Sequence, residues 1–159
     1  TGTMPRLVLV TGGFGAGKST LAESLKKERG FIHFDVDLWC LCYVPTTCIE
    51  QSGRVLTNHD LETREERDPE LVALHKAFKA EYLYPAFQGG KPNPLAMEQF
   101  YARLARDVEM LREIYPEQDI VIVRSIFTRA ERNFLRSKLG QELHCVLLTL
   151  SPEALSMRK

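Results

Sequence analysis

The stretch Gly12–Thr20 reads GGFGAGKST and follows the apolar run Leu7–Val10 after a single threonine. Four of its first six residues are glycines, and a lysine and two hydroxyl residues complete it. Because glycine has no Cβ atom, the backbone N–H groups of such a stretch stay open to close approach. The composition therefore predicts a turn that surrounds a ligand with main-chain amides and closes over it with one positive charge.

The segment Gly12–Ser19 matches the pattern Gly, any four residues, Gly, Lys, and then Ser or Thr. A chance match in a chain of this length is on the order of one in a few hundred. The pattern is typical of a phosphate-binding loop between a strand and a helix, where backbone N–H groups and the helix N-terminus hold a triphosphate. A glycine turn with an exposed lysine is the alternative.

Each residue of the loop has an expected contact with MgATP. We expect Lys18 to reach the β and γ phosphates, the Ser19 hydroxyl to bind Mg²⁺, and Thr20 to touch the α phosphate. The predicted nucleotide-binding residues of the loop are Gly12, Gly13, Phe14, Gly15, Ala16, Gly17, Lys18, Ser19 and Thr20.

The residues around the loop predict a strand, a helix and a second strand, which form one βαβ unit. Leu7–Val10 is short and continuously apolar, as expected of a buried parallel strand. Leu21, Ala22 and Leu25 follow helical spacing, and Gly30 ends that helix. The remaining predicted elements are a strand at 31–34, loop with some helix at 40–60, helices that start at Asp68 and Asn93, a strand at 120–123, a helix from Thr128 to Gly140, a strand at 144–150 and a last helix from Ser151.

Strands therefore alternate with helices along the chain, which predicts an α/β protein with a parallel sheet between two layers of helices. The predicted start of the 128–140 helix is a capping box formed by Thr128 and Glu131. The apolar stripe of the helix after Asn93 includes Phe100 and Leu104, which we interpret as core.

Length and charge limit the possible functions. A chain of 159 residues suits a single domain, here 1–159. Lysine plus arginine and aspartate plus glutamate both number 21, so the formal net charge is zero. That balance argues against a long nucleic acid as partner and leaves room for a local basic pocket that binds a small anion.

The cysteines and the hydropathy favour a cytoplasmic protein. None of the usual zinc spacings is present, so reduced thiols are expected. No apolar stretch approaches the ~20 residues needed to span a bilayer, no secretory signal core precedes the loop, and its early position leaves no room for a removed leader. The four cysteines are Cys40, Cys42, Cys48 and Cys145.

Asp35 and Asp37 follow the second predicted strand. In a doubly wound sheet, ligands collect beyond the carboxyl ends of the strands, and residues two apart in an extended segment point the same way. We expect one carboxylate to hold the Mg²⁺ shell and the other to accept a proton from a substrate hydroxyl. A surface turn or a helix cap is the alternative.

These motifs together resemble the small-metabolite kinases of the shikimate kinase and gluconate kinase type. The resemblance implies their fold, the three-layer α/β/α phosphate-loop fold of nucleotide kinases. The resemblance rests on the Gly-Lys-Ser-Thr loop, on the Asp-x-Asp after the second strand, and on a second block, Val121–Arg136, with the strand that follows it. It covers roughly the first 37 and the last 40 residues. Residues 38–118 match poorly and are expected to form the acceptor-binding insertion, while the lid and the last strand are expected to be missing after the C-terminus.

The resemblance implies roles for individual residues. It places Lys18 on the triphosphate, Ser19 and Asp35 on the metal, Asp37 on the substrate hydroxyl, and Arg129, with Ser125, near the transferred phosphate. It also places Arg158 near the start of the lid, against the nucleotide. The implied catalytic residues are Lys18, Asp35, Asp37 and Arg129, and the implied cofactors are ATP and Mg²⁺.

The chain departs from the gluconate kinases at several positions. Thr128 stands in place of their lysine and Glu131 in place of their tyrosine. Their His-Pro after the second strand is absent, with Leu38-Trp39-Cys40 in its place. Gluconate itself is therefore not expected as the substrate.

The sequence predicts an ATP-dependent kinase that phosphorylates a hydroxyl of a small metabolite. A regulatory ATPase or switch without an acceptor is one alternative, and a nucleoside or polynucleotide 5′-hydroxyl kinase is another. The Asn-Lys-x-Asp string of GTPases is absent.

The acceptor side is predicted only loosely. Arg64 and Arg67 fit a solvated charged face of a helix, and no role is predicted for Arg54. Trp39 either lines the acceptor pocket or is a buried hinge residue. The four histidines, His33, His59, His75 and His144, do not have the spacing of a metal site. His33 and His144 lie in predicted strands, and we expect both to be packed.

Overall fold

We describe a computed structural model of the chain. The structure describes residues 5–13, 16–40, 49, 68–126, 128–140 and 142–149. Among these residues, no helix is both long enough and apolar enough to cross a membrane.

The described strands form a parallel sheet in the order β2-β3-β1-β4. Because Asp35 pairs with Val123 and Val10 also pairs with Val123, the carboxyl ends of the three strands β1, β2 and β3 lie at one edge of the sheet. The strands are β1 Leu7–Gly12, β2 Ile32–Asp35, β3 Ile120–Val123 and β4 Leu143–Leu148.

Helices cover both faces of this sheet, which confirms the predicted α/β/α architecture. Alternate strand residues such as Val10 and Val123 pack with Ala22 of α1 on one face, while Leu9 and Ile122 join the larger core beneath the other helices. The helices are α1 Lys18–Arg29, α2 Val36–Trp39, α3 Pro69–Phe78, α4 Tyr84–Phe87, α5 Pro94–Ile114 and α6 Arg129–Leu139.

Three helix starts that the sequence predicts are confirmed by their caps. The Asp68 carboxylate accepts from Glu70 N, the Asn93 amide oxygen accepts from Leu95 N, and Thr128 forms its capping box with Glu131. These caps satisfy N–H groups that have no partner within the helix, which is why they mark its first turn so reliably.

The helix that starts after Asp68 is not regular along its whole length, because it widens into a π-helical turn at Lys79–Leu83. Pro85 explains the change, because it has no N–H and its ring crowds the carbonyl four residues earlier, that of Glu81. The Glu81 carbonyl instead accepts from Asn93 N at 2.8 Å. One proline thus ties the π-helical turn to the start of α5.

The strand predicted at 144–150 runs from Leu143 to Leu148, and Leu150 lies outside the described residues. The prediction that His144 is packed is wrong, since its side chain is exposed. In the described sheet β4 is an edge strand, so apolar residues such as Leu147 are exposed as well. His33 is packed as predicted, with Nδ1 2.7 Å from Glu23 Oε1.

Candidate active site

The glycine loop connects β1 to α1 at the carboxyl edge of the sheet. Gly17 caps α1 in the left-handed conformation, with φ of 95°. No side chain of the described residues caps the helix, and its first turn contains no acid. The first N–H groups of α1 and the positive end of its dipole are therefore available to an anion, as the phosphate-loop prediction requires.

Lys18 folds back over the loop. Its ammonium group donates to the carbonyls of Gly12 at 2.8 Å and Gly13 at 3.0 Å. Partial burial lowers the pKa of Lys18, and the nearby charges of Asp37 and Asp35 oppose that shift. The side chain thus lies between the loop and the two acids. Phe14 and Gly15, also predicted to bind nucleotide, lie outside the described residues.

Gly12 is needed for a reason other than ligand approach. A Cβ atom at this position would lie 2.5 Å from the carbonyl oxygen of Leu148, and the φ of Gly12 is +152°. Close pairing of β1 with β4 therefore requires glycine at the last residue of β1. The sequence argument assigned this glycine to phosphate access alone.

The two acids are held differently from the extended arrangement expected. Asp35 is the N-cap of α2, and its Oδ1 accepts from Asp37 N at 3.0 Å and Leu38 N at 3.4 Å. The extended geometry predicted for 35–37 is thus wrong, and the helix cap considered as the alternative is present. A cap can still bind a metal, because a carboxylate has more than one acceptor site.

Asp35 and Asp37 nonetheless lie close together. Burial and the neighbouring Asp37 carboxylate raise the pKa of Asp35. The side chain of Asp37 itself is 82% exposed. One acid is therefore sheltered and fixed beneath α2, while the other projects from the first turn of α2 into the region in front of the sheet.

Arg124 is a residue of the site that the sequence analysis gave no role. It follows β3 directly, and its NH1 donates to Asp37 Oδ1 at 3.1 Å. The side chain is only 7% exposed and lies against the rings of Phe78 and Phe100, at 5.5 and 5.3 Å from their centroids. A charged residue directly after a buried strand, at the edge where Asp35 also ends its strand, was the available signal.

Burial opposes the charge of Arg124, but the neighbouring Tyr101, Cys40 and Asp37 raise its pKa overall. Burial also raises the pKa of Cys40 to about 12, so its thiol stays protonated. The guanidinium is therefore a permanent positive charge in an aromatic environment, and Asp37 is its close anionic partner.

Thr128 and Glu131, the two residues that differ from the gluconate kinase pattern, belong to a hydrogen-bond network. Buried Glu131 accepts from the Tyr101 hydroxyl at 2.9 Å through Oε1 and from Thr128 N at 2.8 Å through Oε2. The Thr128 hydroxyl lies 2.6 Å from that of Tyr82 in the π-helical turn. The first turn of α6 is thereby fixed to α5 and to the π-helical turn, next to Arg124.

The other predicted residues take various positions. Trp39 is buried and donates to Asp107 Oδ2 at 2.8 Å, so it is a core residue and not part of a pocket wall. Arg129 is exposed at the first residue of α6, and Ser19 and Thr20 are exposed at the start of α1. The arginines whose roles were predicted or weighed and that lie outside the described residues are Arg54, Arg64, Arg67 and Arg158.

The donors at this edge fit a nucleotide-bound Mg²⁺ better than a metal held by protein alone. Among the described residues, no group of three or more His, Cys, Asp or Glu side chains could hold a metal ion. Mg²⁺ in nucleotide sites commonly takes only one or two protein oxygens and completes its shell with phosphates and water. Ser19 and Asp35 would supply these protein oxygens in the hypothesis drawn from the sequence.

Comparison with known proteins gives the family of the chain and supports the predicted fold. The sequence profile of the AAA domain family matches residues 8–158 of the chain. The chain belongs to this AAA domain family. A search of the curated proteins finds no match.

Two solved structures are among those that the AAA domain matches. A gluconokinase from Sinorhizobium meliloti is 18% identical, with a TM-score of 0.51 and alignment over 99% of this chain and 65% of that one. An unliganded sugar kinase from a Janibacter species is 19% identical, with a TM-score of 0.47 over 97% and 65% of the two chains. The AAA domain thus spans just under two thirds of these structures, and the first likeness confirms the predicted kinase-like fold.

His75 of the AAA domain predicts a pH dependence of stability. Burial, reinforced by Lys79 and Arg124 and opposed by Asp37, lowers its pKa from 6.5 to about 4. Its ring stacks on Phe100 at 5.7 Å. Between pH 6.5 and 4 the unfolded chain binds the proton and the folded chain does not, so the free energy of unfolding should fall as the pH falls through this window.

Denaturant unfolding at several pH values would measure the effect. The variant His75→Phe keeps a stacking ring but cannot titrate, so its stability should fall less steeply from pH 6.5 to 4 than that of the wild type. Parallel curves for the two proteins would show that His75 is not held neutral in the fold.

Proposed function

We propose that this protein is an ATP-dependent phosphotransferase that moves the γ-phosphoryl group to a hydroxyl of a small metabolite. The observation that carries the proposal is the position of Asp37. Its exposed carboxylate projects from α2 at the edge of the sheet where the glycine loop ends, close enough to influence the pKa of Lys18. A triphosphate site with an available base beside it is the arrangement that phosphoryl transfer to a hydroxyl requires.

The residues divide the work between binding and proton transfer. Bound MgATP would supply the phosphoryl group and a metal charge that stabilises the developing negative charge. The loop amides, the N-terminus of α1 and Lys18 hold the phosphate oxygens in line. Asp37 accepts the hydroxyl proton of the acceptor at a carboxylate oxygen as that hydroxyl attacks. Asp35 fixes the start of α2, and with it Asp37, and Ser19 and Asp35 hold the metal.

We further propose a single domain in which residues 38–118 form the acceptor side, in a cytoplasmic protein without a long nucleic-acid partner. The buried rings of Phe78 and Phe100 belong to this segment, and Arg124 packs against them. The neutral net charge supports a small acceptor over a polyanion.

An assay of ADP release with and without a panel of hydroxylated metabolites tests the proposal. The panel should include sugars, polyols, sugar acids and nucleosides, with mass detection of any product that gains a phosphoryl group. We expect slow ATP loss alone and stimulation of about tenfold or more by one acceptor class. Steady hydrolysis that no acceptor stimulates would instead support a regulatory ATPase, and stimulation by nucleosides alone would support the 5′-hydroxyl kinase alternative.

A further inference from the structure

The ion pair between Arg124 and Asp37 joins two side chains with opposite exposure. The NH1–Oδ1 distance is 3.1 Å, yet Arg124 is 7% exposed and Asp37 is 82% exposed. The arginine therefore lies beneath the carboxylate, on the core side, while Asp37 faces the solvent in front of the sheet. A surface ion pair of two mobile side chains would have both partners exposed.

We propose that Arg124 is a positioning residue that orients Asp37 toward the acceptor hydroxyl and is not itself a ligand of the acceptor. This inference rests on the proposed phosphotransferase function. It assigns to the residue that directly follows β3 the task of fixing the one base that the reaction needs.

The surroundings of Arg124 leave its guanidinium little freedom. It packs against the faces of Phe78 and Phe100, two rings that themselves stack at 4.6 Å. Attraction between the cation and the ring faces adds to this packing and strengthens away from water. The fixed guanidinium donates to Oδ1 of Asp37. No described residue is shown hydrogen-bonded to Oδ2, which is left for the acceptor hydroxyl. Fixed orientation of a reacting group is a large contributor to catalytic rate.

Arg124 also offsets the electrostatic repulsion between Asp37 and its neighbour Asp35. Asp35 and Asp37 are close enough that the Asp37 charge helps to raise the pKa of Asp35. Repulsion between two neighbouring carboxylates would turn the more exposed side chain away. The buried charge of Arg124 holds Asp37 in place against that repulsion. Lys18 contributes positive charge from α1.

The burial of the Arg124 guanidinium argues against its direct binding to an anionic acceptor. The Nε atom of Arg124 is buried and has no hydrogen-bond partner among the described residues. With Nε inaccessible and NH1 engaged by Asp37, the fork that usually grips a carboxylate or phosphate in two places does not face the acceptor. Arg124 therefore acts through Asp37.

A double-mutant cycle on the transfer reaction tests the assignment. The variants are Arg124→Met, Asp37→Asn and the double variant, assayed for kcat and acceptor KM. We expect Arg124→Met to lower kcat by about tenfold or more and to change acceptor KM by less than about threefold. In the Asp37→Asn background the same substitution should change kcat by less than about twofold, because its target is already lost. Arg124→Lys should restore part of the rate.

The matched control is Arg6→Met, which removes an arginine–aspartate pair of the same 3.1 Å length, with Asp119, beside the amino end of β3. It should leave kcat unchanged. Calorimetric binding of MgADP reports that each variant is folded, and Arg124→Lys keeps the test available if Arg124→Met does not fold.

Two outcomes would overturn the assignment while the phosphotransferase function stands. Additive losses in the cycle would show that Arg124 acts independently of Asp37. A large rise in KM, confined to anionic acceptors, would make it an acceptor ligand. No transfer by the wild type to any acceptor is a different failure, since it removes the proposed function and the positioning role together.

Discussion

Replacing Asp37 with asparagine is expected to lower the rate of phosphoryl transfer by about 10²- to 10⁴-fold, the usual contribution of a positioned general base. Asparagine keeps the size of the side chain and can still lie near Arg124, but it cannot accept the hydroxyl proton. Because Asp37 is 82% exposed, its loss should not disturb the core. Single-turnover rates with the identified acceptor measure the effect, and MgATP affinity by calorimetry should change by less than about threefold.

The control for this variant is Glu117→Gln, an exposed acid in the turn before β3, at the opposite end of the sheet. It should transfer at the wild-type rate. If Asp37→Asn also transfers normally, Asp37 is not the base and the proposed mechanism fails at its central step.

Replacing Lys18 with alanine is expected to weaken MgATP binding by about 10- to 100-fold, which corresponds to the loss of charge-assisted hydrogen bonds worth about 1.5–3 kcal/mol. Transfer should be abolished within detection, because Lys18 also neutralises charge that develops on the transferred group. The ammonium group lies at the loop, where it donates to the carbonyls of Gly12 and Gly13 and where we expect the phosphates to bind. Titration calorimetry with MgATP gives the affinity.

Lys27→Ala provides the comparison, since it removes an exposed lysine from the same helix, at a position beyond the first turn. It should bind MgATP as the wild type does. Unchanged affinity in Lys18→Ala, with a folded protein, would contradict the phosphate-loop interpretation of 12–20.

Local sequence signals predicted most of the described fold. The apolar runs that became β1, β2 and β3, the caps at Asp68, Asn93 and Thr128, and the loop glycines all depend on residues close in the chain. The parallel sheet followed from the alternation of these elements. Two features were not predicted, one set by a cap within three residues and one set partly by a contact between separate elements. Asp35 caps a short helix, and Pro85, with Asn93, turns part of the α3 continuation into a π-helical turn.

The candidate site shows the same division. The loop and the two acids were visible because a phosphate site needs particular residue types at fixed spacing. Arg124 was not, because 86 residues separate it from Asp37 and only the pairing of β2 with β3 brings the two ends together. Likewise, the role of Glu131 emerges only from its contact with Tyr101 of α5.

The sequence by itself determined that the chain forms a phosphate-binding loop within a parallel α/β sheet, since glycines, caps and apolar periodicity act over a few neighbouring residues. Only the tertiary structure decided which charged side chains become neighbours, such as Asp37 and Arg124. A carboxylate's neighbours across a sheet are set by strand order and register, and these depend on how the whole core packs. The exposed Asp37 above a buried Arg124 is the outcome of that packing.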